Sequence, residues 1–104
     1  RTGGGNSRIR YRDLDVDTDK CLVLLNGEEV HLTSTEYKLL CYLIENKGRI
    51  VTKAMLLEQL WDIDGNFVDE NTVRVNIKRL RQKLNDDKQE YIVTVFGMGY
   101  TFGE

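Results

Sequence analysis

The 104 residues contain no proline, one histidine, one tryptophan and two cysteines. No apolar run reaches the roughly 18–20 residues needed to span a bilayer, and nothing has the layout of a signal peptide. There is no internal repeat and no long low-complexity segment, which excludes solenoid and fibrous architectures. His31 has no partner at metal-ligand spacing and reads as a strand-end residue. Asp13, Asp15, Asp17 and Asp19 alternate as a calcium loop would begin, but the mid-loop glycine and the closing glutamate are missing. Gly97-Met98-Gly99 is too short for a phosphate loop and precedes a strand, not a helix. No nucleophile–base arrangement is visible. Neither a metal, a cofactor nor an enzymatic activity is therefore expected.

Cys21 and Cys41 each sit in an apolar run, without metal-like or framework spacing. They are expected as reduced, buried thiols of a cytoplasmic protein, with a disulfide between them as the lesser reading. Apolar and charged contents of 40% and 31% are those of a soluble globular chain, and the length suits one domain. The first residue is Arg1, and Arg1–Ser7 (RTGGGNS) is polar and Gly-rich. That stretch reads as a linker or tag remnant of a fragment, leaving 8–104 as the folded domain.

Charge is unevenly placed. Between Asn71 and Asn85 stand Arg74, Lys78, Arg79, Arg81 and Lys83, with no acid. The segment is +5 in a chain of net −2, so the remainder carries −7. A polarised surface of this kind suits a polyanion.

Before Thr33 the pattern is short and strand-like: Ile9–Tyr11, Leu14–Val16, Cys21–Leu25 and Val30–Leu32, with Asn26-Gly27 as a hairpin turn. Thr33-Ser34-Thr35-Glu36 then fits a capping box for a first helix over Ser34–Asn46, with Gly48 as its stop. Its apolar face is Tyr37, Leu40, Cys41 and Ile44, widened by Leu39 and Leu43. Thr52 can cap a second helix over Lys53–Trp61, built on Leu56, Leu57, Leu60 and Trp61. Asp62–Val68 reads as a loop turning at Gly65-Asn66. A third helix starts at Asp69 or Glu70 and runs to about Asn85. Tyr91–Phe96 and Tyr100–Phe102, joined by Gly97-Met98-Gly99, form a closing hairpin.

On the third helix, Val73, Ile77, Leu80 and Leu84 fall within about 40° of one line and face the core. Asn71, Val75, Lys78, Arg79 and Gln82 point the other way, flanked by Arg74 and Arg81. A lone valine among cations suits a groove where it can touch a thymine methyl. Arg can fork onto guanine, Asn onto adenine, and Lys or Arg can hold phosphates. The plain alternative is a solvated basic face, or a protein-interaction module that holds an acidic partner.

Three stretches in order, LTSTEYKLLCYLIENKGRIVTKAMLLEQLW, VDENTVRVNIKRLRQKL and VTVFGMGYTF, resemble the OmpR/PhoB family. These are the effector domains of two-component response regulators. The resemblance covers nearly all of Arg8–Gly103. It implies an α+β winged helix-turn-helix: an N-terminal four-stranded antiparallel sheet, three helices and a C-terminal hairpin wing. It implies sequence-specific binding of double-stranded DNA, the third helix in the major groove and the wing on the backbone or minor groove.

By the same resemblance Thr72, Arg74, Val75 and Arg79 read bases. Trp61, Asn71, Asn76, Lys78, Arg81, Thr94 and Tyr100 contact the backbone, and the indole of Trp61 can do so while its ring is buried. Phe96, Gly97 and Met98 form the wing tip. Many members carry Arg where this chain has Phe96, so no charged minor-groove contact is available there. Phe96 then packs on sugars, wedges at a base step, or packs against its own hairpin. The loop with Ile63, Asp64, Asn66 and Phe67 is the region by which several members contact RNA polymerase, the plainer and preferred reading being that Phe67 and Val68 close the core. The family also implies homodimers on tandem half-sites and a phosphorylated N-terminal receiver, which is absent from this sequence.

Overall fold

A computed structural model describes residues 8–64, 70–86 and 91–103, with the backbone alone at 61–64 and 70. They fall into two compact units that divide between Leu32 and Thr33.

The first unit is an antiparallel meander of β1 (Arg8–Tyr11), β2 (Leu14–Asp17), β3 (Leu22–Leu25) and β4 (Glu28–Glu29), in that spatial order. Leu14, Val16 and Val23 are buried, so the strands alternate as half-covered strands should. The aspartates serve this sheet. Asp15 accepts a forked pair of bonds from Arg8 across the β1–β2 ladder, at 2.9 Å from both Nε and Nη2. Asp17 accepts from the Asp19 and Lys20 amides in the following turn.

Two expectations change here. The fourth strand is Glu28–Glu29, not Val30–Leu32. Asn26 and Gly27 both take positive φ, 53° and 84°, so a two-residue turn pairs Leu25 with Glu28 at once. Residue propensity pointed to the valine and leucine, but turn geometry sets the register. Cys21 is also not a buried strand residue. It is exposed in the β2–β3 turn at φ 51°, and β3 starts at Leu22. Cys41 is half-buried, and Cys21 and Cys41 form no disulfide.

The second unit is ordered α1 (Ser34–Glu45), β5 (Val51–Thr52), α2 (Lys53–Asp64), α3 (Glu70–Lys83), β6 (Ile92–Val95) and β7 (Gly99–Phe102). The capping box forms as the sequence predicts: the Glu36 amide donates to Thr33 Oγ1 at 3.1 Å and the Thr33 amide donates to Glu36 Oε1 at 3.0 Å. Thr52 caps α2 through the Met55 amide at 3.2 Å. The α1 core face is centred on Leu39, Leu40, Leu43 and Ile44, while Tyr37 and Cys41 are half-buried at its margin. Helix α2 is longer than expected, running to Asp64. Nothing between Trp61 and Gly65 in the sequence breaks a helical ladder, since glycine and proline are absent there. Among the described residues no helix is long and apolar enough to cross a membrane.

Leucines of α1 and α2 meet Val73, Ile77, Leu80 and Leu84 of the third-helix segment in the core, and Ile92 and Phe102 of the hairpin are as fully buried. Each such side chain contributes about 2 kcal/mol by leaving water. Strand β5 has no counterpart in the sequence reading. It has two residues and pairs with β7, giving a sheet of order β5-β7-β6. This pairing explains Gly99. At φ 154°, a Cβ on residue 99 would stand 2.1 Å from the Val51 carbonyl oxygen and 2.8 Å from Thr52 Cα. Gly99→Ala is therefore expected to cost about 3 kcal/mol, read as a lower midpoint in urea unfolding. Wild-type stability in that variant would mean β5 and β7 separate at little cost.

Candidate nucleic-acid interface

The site is built on α3. Its core stripe is buried as the periodicity predicts, which turns the opposite face outward. Arg74, Lys78 and Arg79 are exposed on that face and make no ion pair among the described residues. Arg74 and Lys78 are four residues apart on the helix, where like charges destabilise by a few tenths of a kcal/mol. A helix selected for stability alone would place an acid at one of these positions.

Arg81 and Lys83 have different roles. Lys83 pairs with the buried Glu36 of the capping box at 2.5 Å, tying the end of α3 to the start of α1. Burial raises the Glu36 carboxyl, but bonds from Lys83 and Thr33 outweigh it and hold the group below its ordinary 4.5. Arg81 is half-buried. Its Nε and Nη2 donate to the Ile92 carbonyl at 3.0 and 2.8 Å, and Nη2 donates to Thr94 Oγ1 at 2.7 Å. Its guanidinium also lies 5.8 Å from the Tyr100 ring centroid. Burial pulls its pKa below the usual guanidinium value, against the nearby Asp86 and Tyr100.

Asp86, just past the helix, is buried and accepts from the Tyr91 amide at 3.0 Å and the Ile92 amide at 2.9 Å. Arg81 and Asp86 thus hold both backbone groups of Ile92 and dock the hairpin on the end of α3. The role of Asp86 had no signal in the sequence, where it is one acid in the polar stretch Asp86–Glu90. A single sequence does not distinguish a carboxylate that caps a strand from one in water.

Between α3 and the hairpin lies a concave site of about 600 Å³. Asn71, Arg74, Val75, Lys78, Arg81 and Tyr100 line it, together with Gln82 and Asp86. Six of the eleven residues expected to touch DNA bases or backbone are thus brought together. Val75 is half-buried in its wall. Thr72 and Asn76 are half-buried on α3 outside that lining, and Asn76 Nδ2 donates to the Thr72 carbonyl at 2.9 Å. Arg79 is exposed beside it, Thr94 is half-buried on β6, and Tyr100 is largely buried. Phe96, Gly97 and Met98 are exposed at the hairpin tip. The Trp61 side chain lies outside the described residues, as do Asn66 and Phe67. Ile63 and Asp64 belong to the last turn of α2 rather than to a loop.

Residues 27–102 match the family model for the C-terminal part of transcriptional regulatory proteins. The chain is 41% identical over 101 residues to the uncharacterized transcriptional regulatory protein YcbL of Bacillus subtilis, covering 95% of this chain and 44% of that protein. It is 47% identical over 83 residues to a second such protein, YclJ, of the same organism, covering 79% and 36%. The chain therefore spans less than half the length of these curated relatives.

Among solved structures, the response regulator DrrB of Thermotoga maritima, an OmpR/PhoB homolog, superposes with a TM-score of 0.85 at 35% identity, over 94% of this chain and 45% of that one. The Klebsiella pneumoniae RstA DNA-binding domain, solved in complex with the RstA box, superposes with a TM-score of 0.81 at 34% identity, over 94% and 98%.

The Arg81 clasp has a measurable consequence. Arg81→Met is expected to cost about 2 kcal/mol, because the Ile92 carbonyl loses its partners, and to speed amide exchange in β6. Arg81→Lys should recover only part, since an ammonium cannot fork. Unchanged stability and exchange in Arg81→Met would show that hairpin docking is independent of this residue.

Proposed function

The chain belongs to the OmpR/PhoB family of transcriptional regulatory C-terminal domains, and from that premise we propose how it engages double-stranded DNA. Helix α3, 14 residues and so about 21 Å long, lies in the major groove. Arg74, Lys78 and Arg79 carry the interaction, because they are exposed on one face and make no ion pair among the described residues. Arg74 and Arg79 reach base edges. Val75 and Thr72 supply apolar and hydroxyl contacts, while Lys78, Asn71 and Asn76 hold phosphates. Thr94 and Tyr100 set the hairpin wing beside the adjacent backbone, with Arg81 directing its charge there while it clasps β6. Trp61 adds a backbone contact from the end of α2.

The role is binding, not catalysis. The whole protein acts in the cytoplasm as a two-component response regulator, with a receiver preceding this domain. It forms dimers on tandem half-sites, and the segment Ile63, Asp64, Asn66 and Phe67 faces RNA polymerase. Tandem pairing is what membership of the family implies, and the small footprint of one α3 supports it.

Selection of random duplexes by this chain, repeated at several salt concentrations, tests the reading. A recurring short half-site with a steep negative salt dependence is the expected result. Weak binding with no enriched sequence would mean either that the receiver is needed for dimerisation or that the basic face holds an acidic protein partner. On the selected site, Arg79→Ala is expected to cost about 1–3 kcal/mol and to relax base preference. Equal losses on selected and random DNA would remove Arg79 from the base-reading set. Lys78→Ala should weaken all duplexes alike and flatten the slope of log affinity against log salt by roughly one. An unchanged slope would take Lys78 off the phosphates.

A further inference from the structure

Phe96 leaves 94% of its surface in water, and Met98 leaves 54%. A ring folded onto its own hairpin would have one face covered, and at this exposure neither is. The turn is closed by the Met98 amide donating to the Val95 carbonyl at 3.0 Å. Both side chains therefore lie past Val95–Gly99, the last paired residues of the hairpin. One pair further in, Thr94 faces Tyr100, whose ring lines the concave site next to Arg81. The apolar tip is thus continuous with the proposed DNA face and reaches about 7 Å along the strand beyond it.

Charge decides how the tip can act. From Tyr91 to Gly103 the sequence YIVTVFGMGYTFG has no charged residue. The wing cannot attract phosphates through side-chain charge, so its contribution to binding a polyanion must be apolar or hydrogen-bonded. A fully solvated phenylalanine at the end of a docked hairpin, beside a face with exposed cations, fits a surface that is charged at its rim and apolar within. The minor groove is such a surface where a base step opens: phosphates line its edges, sugars form its walls, and the parted step exposes apolar base faces behind the base edges of the floor.

We propose that Phe96, supported by Met98, inserts into the minor groove flanking the half-site and partly unstacks one base step. This rests on the DNA-binding reading. Pyrimidine–purine steps yield most easily, so the wing selects such a step at a set distance from the bases read by α3. The selectivity comes from deformability, and it is insensitive to salt.

The test uses the full 104-residue chain and a duplex carrying its selected half-site, with 2-aminopurine placed in turn at each flanking adenine. Wild type is expected to brighten one of these positions. Phe96→Ala should abolish that signal and raise Kd about tenfold, with an unchanged salt slope. Phe96→Leu should keep part of both effects. The exposure of the ring means that these variants unfold at the wild-type temperature. Wild-type affinity in Phe96→Ala, a loss accompanied by a flatter salt slope, or no brightening by the wild type would each overturn the insertion while leaving DNA binding intact. If wild type binds no duplex at all, the DNA reading fails, and the insertion with it.

Discussion

The Ile92 peptide groups, held by Arg81 on one side and Asp86 on the other, are the constraint on which the interface depends. Strand β6 is the edge of its three-stranded sheet, and an edge strand has backbone groups that must find partners. Here two side chains from the end of α3 supply them. The hairpin is therefore referenced to the helix and not only to the core. Because Arg81 also lies beside the Tyr100 ring, one guanidinium sets where the wing stands relative to the helix face that carries Arg74 and Lys78. A concave site with a defined width follows from that clasp.

The same interactions sort the positive charge. Five cations occur between Asn71 and Asn85, but Lys83 is committed to Glu36 and Arg81 to the wing. Among the described residues, Arg74, Lys78 and Arg79 are left without an ion pair, and Arg74 and Lys78 tend to repel along the helix. The fold accepts that small cost at the site and offsets it with a fully apolar stripe on the opposite side of the same helix. The uncharged wing completes the division of labour: charge on the helix, apolar surface on the hairpin.

Much of the fold was legible because local patterns repeat what the tertiary structure needs. The capping box at Thr33 and Glu36, the stripe from Val73 to Leu84 and the Asn26-Gly27 turn each involve residues within a few positions of one another. Sequence spacing maps directly onto geometry there. Where the partner is distant, the pattern is silent. Strand β5 is recognisable only by its pairing with β7, and Glu29 is a strand residue only because the turn before it fixes register against Leu24. Cys21 lies in an apolar run but occupies a turn position with positive φ, which hydropathy does not register.

The candidate site divides along the same line. By itself the sequence determined which face of α3 is basic, because helical period and charge are properties of one segment. It also determined that the wing is uncharged. Only the tertiary structure decided which cations are available, since the partners of Lys83 and Arg81 come from α1 and β6. It also decided between two conformations of Phe96 that the sequence allows equally. Whether that ring folds back on its hairpin or stands in water depends on how the Val95–Met98 turn directs it, and in this fold it stands in water.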